Sequence, residues 1–124
     1  MIRKGVHTMP AIRKAGEIPA QNFEKCHDGI GTLFCKSLLD GQGAKTIEFM
    51  HHDVIPAGVT IGNHPHDWSE EVYYLVSGKG ILTYDGADYQ MEPGDLSLCT
   101  PGHNHGFRAE TDCLLIVVGA KVNG

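Results

Sequence analysis

From Thr32 onward, apolar and polar side chains alternate in short runs that glycine, proline and aspartate interrupt every eight to twelve residues. Thr32 to Leu39 reads as a strand, Asp40-Gly41-Gln42-Gly43 as its turn, and Lys45 to Ile55 as the returning strand, with Ile47 and Phe49 alternating against Thr46 and Glu48. The two make a hairpin. Pro56-Ala57-Gly58 breaks the connection to Val59-Thr60-Ile61, and a glycine just ahead of a strand fits a tight corner. Glu71 to Val76 has the β-branched and aromatic composition of a strand packed on both faces, with Glu71, Tyr73 and Leu75 predicted to point inward. Ser77-Gly78-Lys79-Gly80 turns the chain into a strand over Ile81 to Tyr84, and Asp85-Gly86 is a two-residue hairpin signal before Tyr89-Gln90-Met91. Leu96 to Thr100, His105 to Ala109 and Cys113 to Val118 complete the series.

No segment carries a long amphipathic helical period, so the pattern predicts an all-β sandwich or barrel. Residues 1–29 hold Gly5, Pro10, Gly16, Pro19 and Gly29 with weak periodicity. They read as a mostly irregular N-terminal arm with room for one short strand near its start, ahead of a single β domain over residues 30–124.

Composition narrows the function classes. At 124 residues with 41% hydrophobic content, the chain is sized for one domain with a real core. A net charge of −5 without any Lys/Arg cluster argues against a nucleic-acid surface. No apolar run approaches the ~20 residues that cross a bilayer, and the start Met-Ile-Arg-Lys-Gly-Val-His lacks the apolar stretch of a signal peptide, so neither membrane nor export is expected and a cytoplasmic location is. Cys26, Cys35, Cys99 and Cys113 show no Cys-x-x-Cys spacing and are expected as free thiols. Cys99 lies on the strand leading towards His105 and is read as a small buried hydrophobe.

The chemistry concentrates in His64, His66, Glu71 and His105. Imidazole nitrogens and a carboxylate together suit a divalent transition ion (Fe, Mn, Ni, Co, Cu or Zn), whereas calcium would call for oxygens. His64 and His66 at i, i+2 on an extended segment share a face about 6.6 Å apart, within reach of one ion. Glu71 has the wrong parity for the same strand, so the chain must bend between them, and Asp67-Trp68-Ser69 supplies turn residues there. His7, His27, His51 and His52 have no motif partner and are read as surface or packed residues.

Gly58, five residues, His64-Pro65-His66, four residues, Glu71, six residues and Gly78 resemble the first motif of the cupin superfamily. Gly94-Asp95 through Pro101-Gly102 to His105 resembles the second, with Thr100 where proline is usual and Ala109 where a late asparagine is usual. The resemblance covers about residues 45–119. It implies a small jelly-roll β-barrel with His64, His66, Glu71 and His105 as metal ligands, and an arm that packs against a second subunit in a homodimer. Counting to Gly78 selects Glu71 over Glu70, and counting from Gly94 selects His105 over His103.

A divalent ion on this set would carry a formal charge of about +1 and favour a small oxygenated or anionic metabolite. The resemblance implies a metal-dependent enzyme, dioxygenase first and isomerase or lyase second, with a non-catalytic small-molecule-binding module as the alternative. His103, Glu70 and Tyr73 are candidates for proton transfer, and Tyr73, Leu75, Phe107 and Trp68 for the pocket wall.

Overall fold

The computed structural model describes residues 11–41 and 43–122, and within them the alternation folds into two antiparallel sheets. One sheet has six strands in the order β1 (Ala20–Glu24), β2 (Thr32–Leu39), β3 (Ile47–Ile55), β10 (Cys113–Lys121), β5 (Ser69–Ser77) and β8 (Leu96–Cys99). The other has four, in the order β4 (Thr60–His66), β9 (His103–Ala109), β6 (Gly80–Tyr84) and β7 (Ala87–Met91). This is the jelly roll expected from the sequence. The start of the arm, where the sequence left room for a strand, lies outside the described residues. β1, later in the same arm, pairs with β2 and so extends the six-stranded sheet. No helix among the described residues is long and apolar enough to cross a membrane.

The inward-facing residues are those that alternation selects. Leu33 and Cys35 on β2, Asp53 and Ile55 on β3, Leu115 and Val117 on β10, and Tyr73 and Leu75 on β5 are all buried. Ile61, Leu82 and Phe107 meet them from the smaller sheet. β5 departs from expectation in one respect. Its outer residues Tyr74 and Val76 are exposed, so among the described residues it is packed on one face only. β4 and β9 are also longer than the pattern suggested: β4 runs unbroken through both histidines, and β9 begins at His103.

Two turns place the strands that matter. The bend at Asp67-Trp68 carries the chain from β4 in one sheet to β5 in the other, which is the change of direction that the parity of Glu71 demands. Gly78 then ends β5 in left-handed backbone (φ +86), and a Cβ there would overlap the backbone carbonyl of Asp112. Left-handed backbone costs an L-residue roughly 1–2 kcal/mol, and the overlap adds to it. Gly78→Ala should therefore lose about 2 kcal/mol or more of stability, read as a lower urea midpoint at unchanged slope. A midpoint equal to that of the wild type would show that the turn is free to relax.

Candidate metal centre

His64 and His105 are direct cross-strand partners on β4 and β9, and His66 follows two residues along the same face of β4. Glu71 comes from the opposite sheet, on β5. All four are buried, and one donor atom from each lies within 4.8 Å of the others. The ring nitrogens converge through Nε2: His105 Nε2 is 3.0 Å from His66 Nε2, 3.2 Å from His64 Nε2 and 3.0 Å from Glu71 Oε1. The two β4 histidines approach the Glu71 carboxylate at 3.7 Å.

The tautomers follow from the other ring nitrogens. His64 Nδ1 lies 2.8 Å from the carbonyl of Gly62, which can only accept, so Nδ1 carries the proton and the Nε2 lone pair faces the centre. His66 Nδ1 meets Ser69 Oγ at 3.1 Å, which suits the same tautomer. His105 Nδ1 is buried without a partner. With His64 Nε2 fixed as an acceptor, its close approach to His105 Nε2 requires a proton on His105 or a cation between them. Donors about 2.1 Å from an ion lie about 3.0 Å apart across an octahedral edge and about 3.4 Å apart across a tetrahedral one. The observed separations of 3.0 to 3.7 Å fit a divalent ion of that size.

Charge is arranged to match. Burial alone would raise the Glu71 pKa, but hydrogen bonds with His105 and His64 and the positive potential of the histidines bring it down to about 2, so the carboxylate is ionised. His66 is pushed down by burial and by its histidine neighbours, against the pull of Glu71. Burial also lowers His64, but Glu71 and the Gly62 carbonyl outweigh it and raise the net value. Tyr73 lies flat on the His105 ring, with centroids 4.2 Å apart, and its hydroxyl is buried without a hydrogen-bond partner. Burial, with Glu71 nearby, holds that phenol far above its ordinary pKa.

A cavity of about 400 Å³ opens beside the centre. His66, Glu71, Tyr73 and Trp68 reach it, as do Phe23 of β1, Phe49, His51 and Asp53 of β3, and Cys26 and His27. Leu75 and Phe107 do not. They sit one step further along their strands, in the packed core behind Tyr73, because parity gives the correct face but not the depth at which the sheets separate. His103 starts β9 opposite His66, with its Nδ1 2.5 Å from Asp85 Oδ2 and its ring against Tyr84, and it does not line the cavity. Glu70 is on the other face of β5 from Glu71 and is likewise not part of the wall. Cys99 is a packed thiol opposite Glu71 on β8, pushed up to about 11 chiefly by burial.

Polar wall residues that the sequence pattern did not place there include His27, His51 and Asp53. His27 stacks on His64 with centroids 3.6 Å apart and planes 12° apart. It is held there by a left-handed turn, with Lys25, His27 and Asp28 all at positive φ, and by Gly62, where any Cβ would overlap the His27 carbonyl. The interior glycine of β4 was its one local signal, since strand glycines mark close backbone approach. His51 and Asp53 continue the Phe49 face of β3, and polar residues on an inward face were the signal for them.

Comparison with known proteins agrees with this geometry. The Cupin domain family profile matches residues 50–119. An oxalate-binding protein of Thermotoga maritima is 31% identical over 101 residues, which span 76% of this chain and 78% of that protein. Among solved structures, a predicted oxalate decarboxylase from Thermotoga maritima superposes with a TM-score of 0.83 at 22% identity, covering 90% of this chain and 99% of that one. KdgF from a Halomonas species superposes with a TM-score of 0.74 at 18% identity, covering 93% and 96% respectively. With the two-sheet jelly roll and the three histidines and glutamate that its strands bring together, the chain belongs to the cupin domain family.

Proposed function

We propose that this cupin is a metal-dependent enzyme in which His64, His66, Glu71 and His105 hold a divalent transition ion that takes a small oxygen-bearing metabolite as a chelate. The observation that carries the reading is the convergence of four donor atoms beside one cavity. When bound, the ion supplies Lewis acidity and a template for the chelating oxygens. The chain supplies the rest: Phe23, Phe49 and Trp68 offer apolar surface to the body of the ligand and displace water, while His27 braces His64.

No Lys or Arg is among the described residues of the wall, whereas Glu48, Asp53 and Glu71 are. Attraction for an anion therefore comes from the ion alone. That favours a ligand with a single negative charge, such as a carboxylate with a neighbouring oxo or hydroxyl oxygen, over a highly charged one. The named similarity to an oxalate-binding protein supports the same chelating class. The word "binding" in that relative's name supports a second reading, a module that captures such a ligand without converting it.

Protein purified without added metal should contain a transition ion that His105→Ala lacks, and equal metal content in the two would sink the ligand assignment. Metal affinity should fall between pH 7 and pH 5, where protons compete for the imidazole nitrogens, and Glu71, at about 2, should play no part in that loss.

Trp68 is the only tryptophan of the chain and lines the cavity, so its fluorescence reports occupancy. A 2-oxo or 2-hydroxy monocarboxylate should change it in the metal-loaded protein and not in His105→Ala. Carbon dioxide release without oxygen uptake would then establish the lyase branch. Oxygen uptake would establish the dioxygenase branch, and binding without turnover the module. No response to any chelating carboxylate would overturn the substrate class.

The outer face of the six-stranded sheet supports a homodimer. Phe34, Val54, Tyr74, Val76, Leu96 and Leu98 are all exposed there, and the registers set Phe34 beside Val54 and Tyr74 beside Leu96. No described residue covers these side chains, and two-fold pairing with a second copy would cover them in closed symmetry. Sedimentation equilibrium should show a dimer that the double variant Tyr74→Glu, Leu96→Glu converts to monomer. A monomeric wild type would refute it. The four free thiols of the described chain suit the reducing cytoplasm.

A further inference from the structure

We propose a second metal site on the far wall of the same cavity, formed by Cys35, His51 and Asp53 and suited to a zinc-like ion. It does not depend on the first centre, with which it shares no residue.

Cys35 on β2 and Asp53 on β3 are direct cross-strand partners, and His51 lies two residues from Asp53 on the same strand face. One donor atom from each residue lies within 4.8 Å of the others. Asp53 is 4% exposed, and its Oδ1 is buried with no hydrogen-bond partner. An unpaired buried carboxylate oxygen is costly unless a proton or cation satisfies it. No lysine or arginine is among the described residues around the cavity. The carboxylate that needs a positive partner therefore has a thiol and an imidazole as neighbours, and all three residue types are ligands for the same ion.

The donor set narrows the choice of ion. Sulfur, nitrogen and oxygen together select zinc, or cobalt as its probe, over magnesium or calcium. A bound ion would take the Cys35 side chain as thiolate, since a coordinating thiol is deprotonated. His51 and Asp53 reach the cavity, so the fourth position of a tetrahedral ion faces the space where a ligand would enter. Three protein ligands with one open position is the pattern of a working site, whereas purely structural zinc is enclosed by four. Phe49, whose ring centroid is 4.6 Å from that of His51, packs against the imidazole on one side.

The two centres are distinguishable because only the second contains sulfur. Metal-free, fully reduced protein titrated with cobalt should bind two equivalents per chain and develop a thiolate-to-cobalt charge-transfer band in the near ultraviolet. Cys35→Ser and Asp53→Asn should lose the band, and His51→Ala should weaken the second equivalent by at least about tenfold. His105→Ala, which removes a ligand of the first centre alone, should keep the band. Circular dichroism identifies any variant that fails to fold, and half-buried His51 provides the milder substitution if buried Cys35 does not tolerate change. Saturation at one equivalent with no thiolate band in the wild type would overturn the proposal, as would a band that survives in folded Cys35→Ser.

Discussion

His64 and His105 face each other across β4 and β9, and the geometry of the centre follows from that one cross-strand register. With the pair in place, the i, i+2 spacing of β4 brings His66 to the same side, and the bend at Asp67-Trp68 sends β5 into the opposite sheet with Glu71 turned inward. A slip of one residue in the β4–β9 register would turn the His64 and His66 side chains out of the barrel. The register is held by what surrounds it: the Gly62 carbonyl accepts a hydrogen bond from His64 Nδ1–H, and Tyr73 stacks on His105. The interactions that orient the rings are thus made by the same strands that close the core.

Electrostatics gives this arrangement its direction. The His105 imidazole lies within 3.2 Å of both other imidazoles, and together with an ionised and buried carboxylate the three form a negative pole that only a cation or several protons can satisfy. The opposite wall carries the same imbalance. There burial raises the Asp53 pKa to about 6, with the Cys35 thiol pulling the other way, and no Lys or Arg among the described residues of the cavity balances it. A cavity with acidic groups on two walls and apolar aromatic surface between them would repel a free dianion. What it accepts depends on the ions it holds.

Much of this was legible in the sequence. The all-β class and the succession of strands follow from alternation and turn residues, because a strand buried on one side must repeat every two residues and Asp85-Gly86 admits little but a tight hairpin, whereas the jelly-roll arrangement was implied only by the cupin resemblance. The four clustered side chains could be named because their spacing from Gly58, Gly78 and Gly94 resembles the two cupin motifs. The cavity wall was less accessible. Leu75 and Phe107 were placed on the correct face and proved to be core, while Phe23 and Phe49 form wall instead, since the depth at which two twisted sheets separate is a property of the whole sandwich. His27 was hidden for a related reason: its contact with His64 spans more than thirty residues and depends on a left-handed turn that no local propensity favours.

That turn connects the arm to the chemistry. Backbone in the left-handed region costs each non-glycine residue about 1 kcal/mol or more, and residues 25 to 28 include three of them. The segment is nevertheless tied down: Lys25 N–H donates to the Gly31 carbonyl, and Ile30 and Thr60 exchange bonds through the Ile30 amide to Thr60 Oγ1 and the Thr60 amide to the Ile30 carbonyl. Strain that persists under so many restraints is offset by packing, and the packing here is the His27 ring on His64 together with Cys26 at the cavity edge. The arm is therefore part of the site. It covers one face of the His64 ring, contributes Phe23 through β1, and ties the position of His64 to the cavity that His51 and Asp53 also line.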